Sequence, residues 1–441
     1  MHHEDPQPME FGPLGPLKGA ATVPGDKSIS HRALMFSALA RGRSRIEGLS
    51  GGGDVMSTAA AMRAMGATIE RAADGAWEVD GVGTGCLLQP ANALDMGNSG
   101  TSTRLLMGLV ASHPITVTFV GDASLSKRPM NRVIEPLSRI GAEFTAAPGG
   151  RLPLTVRGIC PATPASHVLK VASAQVKSAL LLAGLNTPGE TRVFEPIPTR
   201  DHSERMLRHF GVDVRVGEHD GGRDIRLMGE AELQARAVKV PGDPSSAAFL
   251  AAAALIVPGS DVLIQGVSIN PLRAGLFELL QLMGGDLVFE NARDADGEPV
   301  ADIRVRHSKL RAVTVPDRLV PSMIDEFPIW FVTAAFADGT SRAEGLGELR
   351  VKESDRIAAM AAGLAAIGVR AEESPEGLAI EGNGGTPVRG GGTIASQLDH
   401  RIAMSFAIAG LHADQPIGID DMAPVATSFP PFRETIESLA A

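Results

Sequence analysis

The chain has 441 residues, enough for two or three domains with cores of their own, and its 44% hydrophobic and 21% charged residues are typical of a globular protein. A net charge of −10 argues against a general nucleic-acid or anionic-membrane binder. With 4% aromatic residues and no Tyr, the chain is poor in base-stacking platforms and has no Tyr to serve as an acid.

The N-terminal string MHHEDPQPME lacks the basic start and apolar run of a signal peptide. The longest apolar run, Ala247 to Val257, is about half of the ~20 residues a membrane-spanning helix needs and reads as a buried helix. The two cysteines, Cys86 and Cys160, make no disulfide framework and sit in no spacing that suggests zinc. These features predict a cytoplasmic protein in a reducing compartment.

In chain order, PGDKSISHR (Pro24 to Arg32) places Lys27, Ser28 and Arg32 at the start of an apolar helix over His31 to Ala40, where free N–H groups, the helix dipole and two cations can cradle an anion. A helix over Asp54 to Met65 and a strand over Trp77 to Asp80 follow. DMGNSGTSTR then opens a helix over Gly100 to Ala111, with Gly100 where a ligand could approach the backbone. After a strand over Ile115 to Val120, SKRPMNR sets Arg128 before Pro129, and a strand covers Leu152 to Val156. SAQVKSALLLAGLN puts Ser173 and Gln175 at a very apolar helix start, and TRDHSER puts Arg200 before another.

In the second half, SMIDEFPI holds Asp325 and Glu326 in an apolar stretch, where a carboxylate is costly unless paired or used. VKESDRI packs Lys352, Glu353, Asp355 and Arg356 together, and DHRIAMSFAIAG opens a helix with His400 and Arg401. Capping and surface ion pairing account for each segment alone. Their recurrence supplies cations suited to phosphate or carboxylate and acids suited to proton transfer, with no metal cluster, and so suggests acid–base work on a polyanionic substrate.

Amphipathic helices repeatedly run into a Gly and then a strand, at Gly66, Gly141, Gly211, Gly284 and Gly368, with spacings of 75, 70, 73 and 84 residues. A sixth unit would end in ETIESLAA. VPGDKSIS at Val23 and VPGDPSSA at Val240 lie 217 residues apart, about three units. An α/β protein of two similar halves is expected, with a domain over 24-240, a discontinuous domain of 1-23 plus 241-441, and crossovers near 23-26 and 240-243. A cleft between halves is the default ligand site.

The strings PGDKSISHRALM, GNSGTSTR, KRPMNRV, SAQVKSALLLAGL, TRDHSE, VPGDPSSAAF, SMIDEFPI, LRVKESDR and LDHRIAMS, in this order from about Leu14 to Glu437, resemble the 5-enolpyruvylshikimate-3-phosphate synthases. The resemblance implies the enolpyruvyl transferase fold, an inside-out α/β barrel of two domains, each of three βαβαββ units. It implies transfer of the enolpyruvyl group of phosphoenolpyruvate to the 5-hydroxyl of shikimate 3-phosphate through a tetrahedral intermediate, with no metal or organic cofactor, in a monomer.

By motif match, Ser28, Arg32, Ser173, Ala174, Gln175 and Arg200 hold shikimate 3-phosphate, with Asp325 and Lys352 nearby. Gly100, Arg128, Gln175, Arg356 and Arg401 hold phosphoenolpyruvate, and Lys27 lies between both substrates. Asp325 takes the hydroxyl proton and Glu353 gives one to the methylene carbon, although Lys352 and Arg356 beside Glu353 favour its carboxylate form. Asn131 stands where the family commonly has the Gly of RPMG, and Thr427 where some members have a Lys. Gly100, rather than Ala, leaves room for glyphosate.

Two other readings are a UDP-aminosugar enolpyruvyl transferase and a two-domain anion-binding protein without catalysis. The former family has a Cys in the loop before an Arg-Pro pair, whereas Gly121 to Arg128 reads GDASLSKR.

Overall fold

The structure is a computed structural model and describes residues 6–440; residues 1–5 of the N-terminal string and Ala441 at the end of ETIESLAA lie outside the described residues. The chain divides into two compact units. Unit 1 takes the N-terminal stretch to Pro24, Pro241–Asp294 and the stretch from Pro299 onward; unit 2 takes Gly25–Val240 and Ala295–Glu298. Ala295–Glu298 is the turn of a hairpin between Asp286–Ala295 and Glu298–Arg306, and the continuous 24-240 segment expected above did not include it.

Unit 2 contains the same four-stranded sheet three times. Leu94–Asp95 runs parallel to Thr116–Val120, which is antiparallel to Arg151–Arg157, itself antiparallel to Glu143–Ala147. Ser166–Val168, Glu190–Glu195, Gly222–Met228 and Val214–His219 repeat that order. So do Ala237–Lys239, Arg41–Glu47, Trp77–Val82 and Thr68–Arg71, where the end of the unit supplies the parallel edge strand and closes the set.

Unit 1 has this four-stranded sheet once, with Asp286–Ala295 as its outer strand, and varies it in the other two repeats. Lys18–Thr22 is parallel to Asp261–Ser268, which is antiparallel to Glu298–Arg306. Asp338–Ala343, Gly377–Asn383 and Ala371–Ser374 keep the antiparallel part. Ile417–Ile419 pairs parallel with Thr393–Ile394 and antiparallel with Met9–Phe11.

Twelve α-helices among the described residues come two to a repeat: α1 (Lys27–Leu39), α2 (Gly53–Ala64), α3 (Gly100–Ala111), α4 (Asn131–Ser138), α5 (Ala174–Leu185) and α6 (His202–His209) in unit 2, and α7 (Pro244–Ile256), α8 (Gly275–Leu282), α9 (Phe327–Ala335), α10 (Arg356–Ala366), α11 (His400–Gly410) and α12 (Phe432–Leu439) in unit 1. The first helix of each pair is apolar almost all round and buried along its length, as in α5 from Val176 to Leu185 and α7 throughout. This places helices at the centre of each unit and sheets around them. The second helix buries one face only; α4 covers just Val133 and Leu137.

Glycine serves two purposes in this scheme. Gly66, Gly141, Gly211, Gly284 and Gly368 follow the outer helices α2, α4, α6, α8 and α10 with φ of 108°, 105°, 91°, 89° and 85°, the left-handed turn that an L side chain resists. Gly108 lets α3 press onto α5, since a Cβ there would lie 2.1 Å from the Ala179 carbonyl oxygen.

Helix α1 begins at Lys27, four residues ahead of the expected start, because the Asp26 carboxylate accepts from the Ile29 N–H at 2.8 Å. Helix α2 is shifted by one residue from the expected Asp54–Met65, and α3 has the expected bounds. No helix of the described residues is long and apolar enough to cross a membrane.

Candidate active site

In each unit the polar side chains collect where the buried helices start. Within unit 2, Ser99 caps α3 by accepting from Ser102 N–H at 3.1 Å, and Ser173 caps α5 by accepting from Val176 N–H at 3.4 Å. Such starts carry unsatisfied N–H groups and a partial positive charge. Cross-links bring them together: Thr58 of α2 joins His31 of α1 at 2.7 Å and Ser102 of α3 at 2.6 Å, and Arg104 of α3 donates to Gln175 of α5 at 2.8 Å. Gln175 Nε2 in turn donates to Thr101 at 3.0 Å.

Lys27 pairs with Asp54 at the head of α2. Arg32 is buried and donates from Nε to Ser203 at 2.7 Å, from Nη2 to Ser178 at 2.6 Å and from Nη1 to the Ser28 carbonyl at 2.8 Å. Burial pulls its pKa down to about 10; Glu204 and Asp26 oppose the shift, and Arg200 adds to it. Burial, then Lys27 and Arg32, drives the His31 pKa well below its ordinary value, so that ring is neutral. Arg200 is half-buried in the loop between the strand Glu190–Glu195 and α6.

Arg128 is buried at the end of a 3₁₀ turn, Leu125–Lys127. Its Nη2 donates to Asn98 Oδ1 at 2.6 Å and to Ser124 at 3.0 Å. Asn98 Nδ2 donates to Asp122 Oδ2 at 2.7 Å, and Asp122 Oδ1 accepts from Leu125 N–H at 2.7 Å, so one carboxylate orients both the amide and the turn. Gly100 lies against this group: a Cβ there would stand 3.0 Å from Arg104 Nη1 and 3.2 Å from Arg128 Nη1. Asn131, in the place of a Gly, starts α4 and donates to the Gly149 carbonyl at 3.2 Å.

Within unit 1, the starts of α7, α9, α10 and α11 are drawn together by ion pairs. Arg356, buried, donates from Nε to Asp399 Oδ2 at 2.8 Å and from Nη2 to Glu353 at 2.6 Å. Its Nη1 lies 3.6 Å from Asp325 Oδ1 and makes no hydrogen bond among the described residues. Burial works against the charge of Arg356, yet Asp399 and Glu353 outweigh it and raise its pKa. Burial likewise penalises the Asp399 carboxylate, and Arg356 overcomes the penalty, leaving the Asp399 pKa lowered.

Lys352 Nζ stands 3.3 Å from Asp325 Oδ1. Arg401 donates to the Asp325 carbonyl at 2.9 Å and lies 3.5 Å from Glu326. Glu326 itself is 2% exposed and paired with Arg273 at 2.8 Å, which makes it a partner for cations rather than a reactive acid. Thr427 donates to the Pro424 carbonyl at 2.7 Å in its own 3₁₀ turn and adds no cation.

Unit 2 therefore gathers Lys27, Ser28, Arg32, Gly100, Arg128, Ser173, Ala174, Gln175 and Arg200, and unit 1 gathers Asp325, Lys352, Glu353, Arg356 and Arg401. Sequence reasoning assigned no role to Asp54, Arg104, Asp122 or Asp399. Arg104 alone left a signal, a charge in the middle of GTSTRLLM.

A family model described as EPSP synthase (3-phosphoshikimate 1-carboxyvinyltransferase) matches residues 12–436. The chain is 63% identical to the 3-phosphoshikimate 1-carboxyvinyltransferase of Sphingopyxis alaskensis over 98% of both chains. It is 61% identical to that of Zymomonas mobilis, over 97% of this chain and 95% of the other. The EPSP synthase structure from Acinetobacter baumannii superposes with a TM-score of 0.86 at 46% identity, covering 98% of each chain. The enolpyruvyl transferase NikO from Streptomyces tendae, at 19% identity and a TM-score of 0.77 over 99% of this chain and 98% of the other, shares the fold. The chain belongs to the EPSP synthase (3-phosphoshikimate 1-carboxyvinyltransferase) family.

Proposed function

We propose that two groups of side chains, one in each unit, carry the enolpyruvyl transfer of this family, both binding substrate anions and the group in unit 1 also moving protons. The chain moves the enolpyruvyl group of phosphoenolpyruvate to the 5-hydroxyl of shikimate 3-phosphate and releases phosphate. Ser28, Arg32, Ser173, Ala174, Gln175 and Arg200 hold shikimate 3-phosphate, with Lys352 and Asp325 beside it. Arg128, Gln175, Arg356 and Arg401 hold phosphoenolpyruvate near Gly100, and Lys27 serves both substrates. Arg356 Nη1, with its other nitrogens committed to Asp399 and Glu353, is the donor it offers to the anion.

The reaction needs one proton removed and one delivered. Asp325 takes the proton of the 5-hydroxyl as that oxygen attacks C2 of phosphoenolpyruvate, and Glu353 protonates the methylene to give the tetrahedral intermediate. Loss of a proton from the new methyl group and departure of phosphate then regenerate the double bond. The phosphoenolpyruvate anion competes with Glu353 for the Arg356 guanidinium and brings negative charge close to it, and both effects favour the protonated acid. The observation that supports this reading most is the meeting of buried arginines with helix starts in unit 2 and with three carboxylates in unit 1.

The acceptor is the shikimate ester rather than a sugar nucleotide, in keeping with a Gly121–Arg128 loop that has no Cys. The enzyme acts as a cytoplasmic monomer without nucleic acid. The test is phosphate release from phosphoenolpyruvate with shikimate 3-phosphate, with a UDP-aminosugar and with no acceptor, the products being weighed by mass spectrometry. Release confined to shikimate 3-phosphate, with an enolpyruvyl mass added to it, is expected. Release with the sugar nucleotide alone, or binding without release, would overturn it.

A further inference from the structure

Lys177 lies on α5, two residues beyond Gln175, and is fully buried. Its ammonium stands 2.9 Å from Glu195 Oε2 and 2.8 Å from Glu204 Oε1, both acids also buried, and donates to the Thr199 carbonyl at 3.3 Å. The Thr199 hydroxyl donates to Glu195 Oε1. Burial works against the lysine charge, but Glu204 and Glu195 outweigh it and hold its pKa above the ordinary value.

A buried ion cluster is a poor way to stabilise a core, since apolar side chains of the same volume do as well or better. Its value lies in what it fixes. Glu195 ends the strand Glu190–Glu195, Glu204 follows the Ser203 that receives Arg32, and Thr199 immediately precedes Arg200. One ammonium thus ties the start of α5, the end of a strand, α6 and the loop that presents Arg200. Glu204 also supports the charge of Arg32.

We infer that the buried Lys177–Glu195–Glu204 cluster is a positioning device that sets Arg200 and Arg32 for shikimate 3-phosphate through Thr199 and Ser203. The inference rests on the assignment of those two arginines to that substrate. Thr199→Val removes the link to Glu195 and keeps every charge. The paired change Lys177→Met with Glu195→Gln removes one charge of each sign and leaves Glu204 facing Arg32.

Both enzymes are expected to show a KM for shikimate 3-phosphate raised about tenfold, the size of one lost charge-assisted hydrogen bond. The KM for phosphoenolpyruvate stays within about twofold, and Lys177→Arg keeps most of the affinity that the paired change loses. Equal losses for both substrates that track a lowered Tm would overturn the inference, because the cluster would then be structural only. Arg200→Ala is the reference variant. If it raises the KM for shikimate 3-phosphate while both cluster variants leave it unchanged, the inference alone falls. If it leaves that KM unchanged, the assignment of Arg200 falls and takes the inference with it.

Discussion

Within unit 2, Arg32, Arg104 and Arg128 donate to serine hydroxyls, a glutamine amide and an asparagine amide. Within unit 1, Arg273, Lys352, Arg356 and Arg401 stand against Glu326, Asp325, Glu353 and Asp399. Hydroxyls and amides aim a guanidinium through hydrogen bonds, and Glu204 and Asp26 support the charge of Arg32. A guanidinium held by carboxylates is stable in place and keeps acids beside the reacting atoms. Unit 2 pairs buried charges as well, Lys177 with Glu195 and Glu204 and Lys27 with Asp54, and Lys27 is the residue assigned to both substrates. The two units thus surround their buried arginines differently, with hydroxyls and amides prominent in unit 2 and carboxylates in unit 1.

The largest effect expected from breaking this contrast is on turnover. Asp325→Ala and Glu353→Gln should each lower kcat by about 10²–10⁴-fold with the fold intact, the usual contribution of a positioned acid or base. Steady-state kinetics with circular dichroism checks it, and either variant turning over at the full rate would remove that residue from the mechanism.

Next in size is a loss of stability in unit 1. Arg356→Met leaves Asp399 and Glu353 without their cation and should destabilise unit 1 by about 3–5 kcal/mol, measured by denaturant unfolding.

Acid should separate the units as well. Burial lowers the pKa values of His31, His113 and His167, the last to about 4, so all three are neutral in folded unit 2. The unfolded chain takes up these protons first, so their contribution is whole above the unfolded histidine value of about 6.5 and is lost as pH falls below it. Glu195, raised by burial, opposes them singly. In unit 1 the contribution of Asp399, whose pKa is lowered, persists down to the unfolded aspartate value of about 3.9 and is lost below it. Unit 2 should therefore loosen at a higher pH than unit 1. Trp77 lies in unit 2 and Trp330 in unit 1, so fluorescence of Trp330→Phe and Trp77→Phe proteins follows each separately.

The smallest change is Gly100→Ala. Its methyl would press on Arg104 and Arg128 at 3.0 and 3.2 Å, closer than a methyl normally sits, so those side chains must shift by a few tenths of an ångström. The KM for phosphoenolpyruvate should rise several-fold, about 1 kcal/mol. Inhibition by glyphosate should weaken by more, and equal inhibition of both proteins would show that this position has room to spare.

The repeats were legible because their signals are local: a Gly after an amphipathic helix needs only its own φ, and Gly66, Gly141, Gly211, Gly284 and Gly368 all have it. The cations at helix starts were legible for the same reason, as Lys27, Arg32 and Arg401 interrupt otherwise apolar helices. The partners were not. Arg32 meets Ser178 and Ser203 across 146 and 171 residues, Arg356 meets Asp399 across 43, and Lys177 reads locally as a surface residue of an Ala/Leu helix until Glu195 and Glu204 fold against it. Asp122 and Asn98 likewise look like turn residues until Arg128 lies beside them. Residue types report where charge can sit, whereas the partner of each charge depends on long-range pairing.

Arg32 tests the anion-binding role of unit 2 most directly, because it is buried, is assigned to shikimate 3-phosphate and has its pKa pulled by burial down to about 10. Titration calorimetry of shikimate 3-phosphate into an Arg32→Met enzyme, with its Tm recorded alongside, should find binding weakened at least about 100-fold and a Tm equal to or above that of the parent. Undiminished binding, or a Tm that falls as far as that of Arg356→Met, would contradict the account.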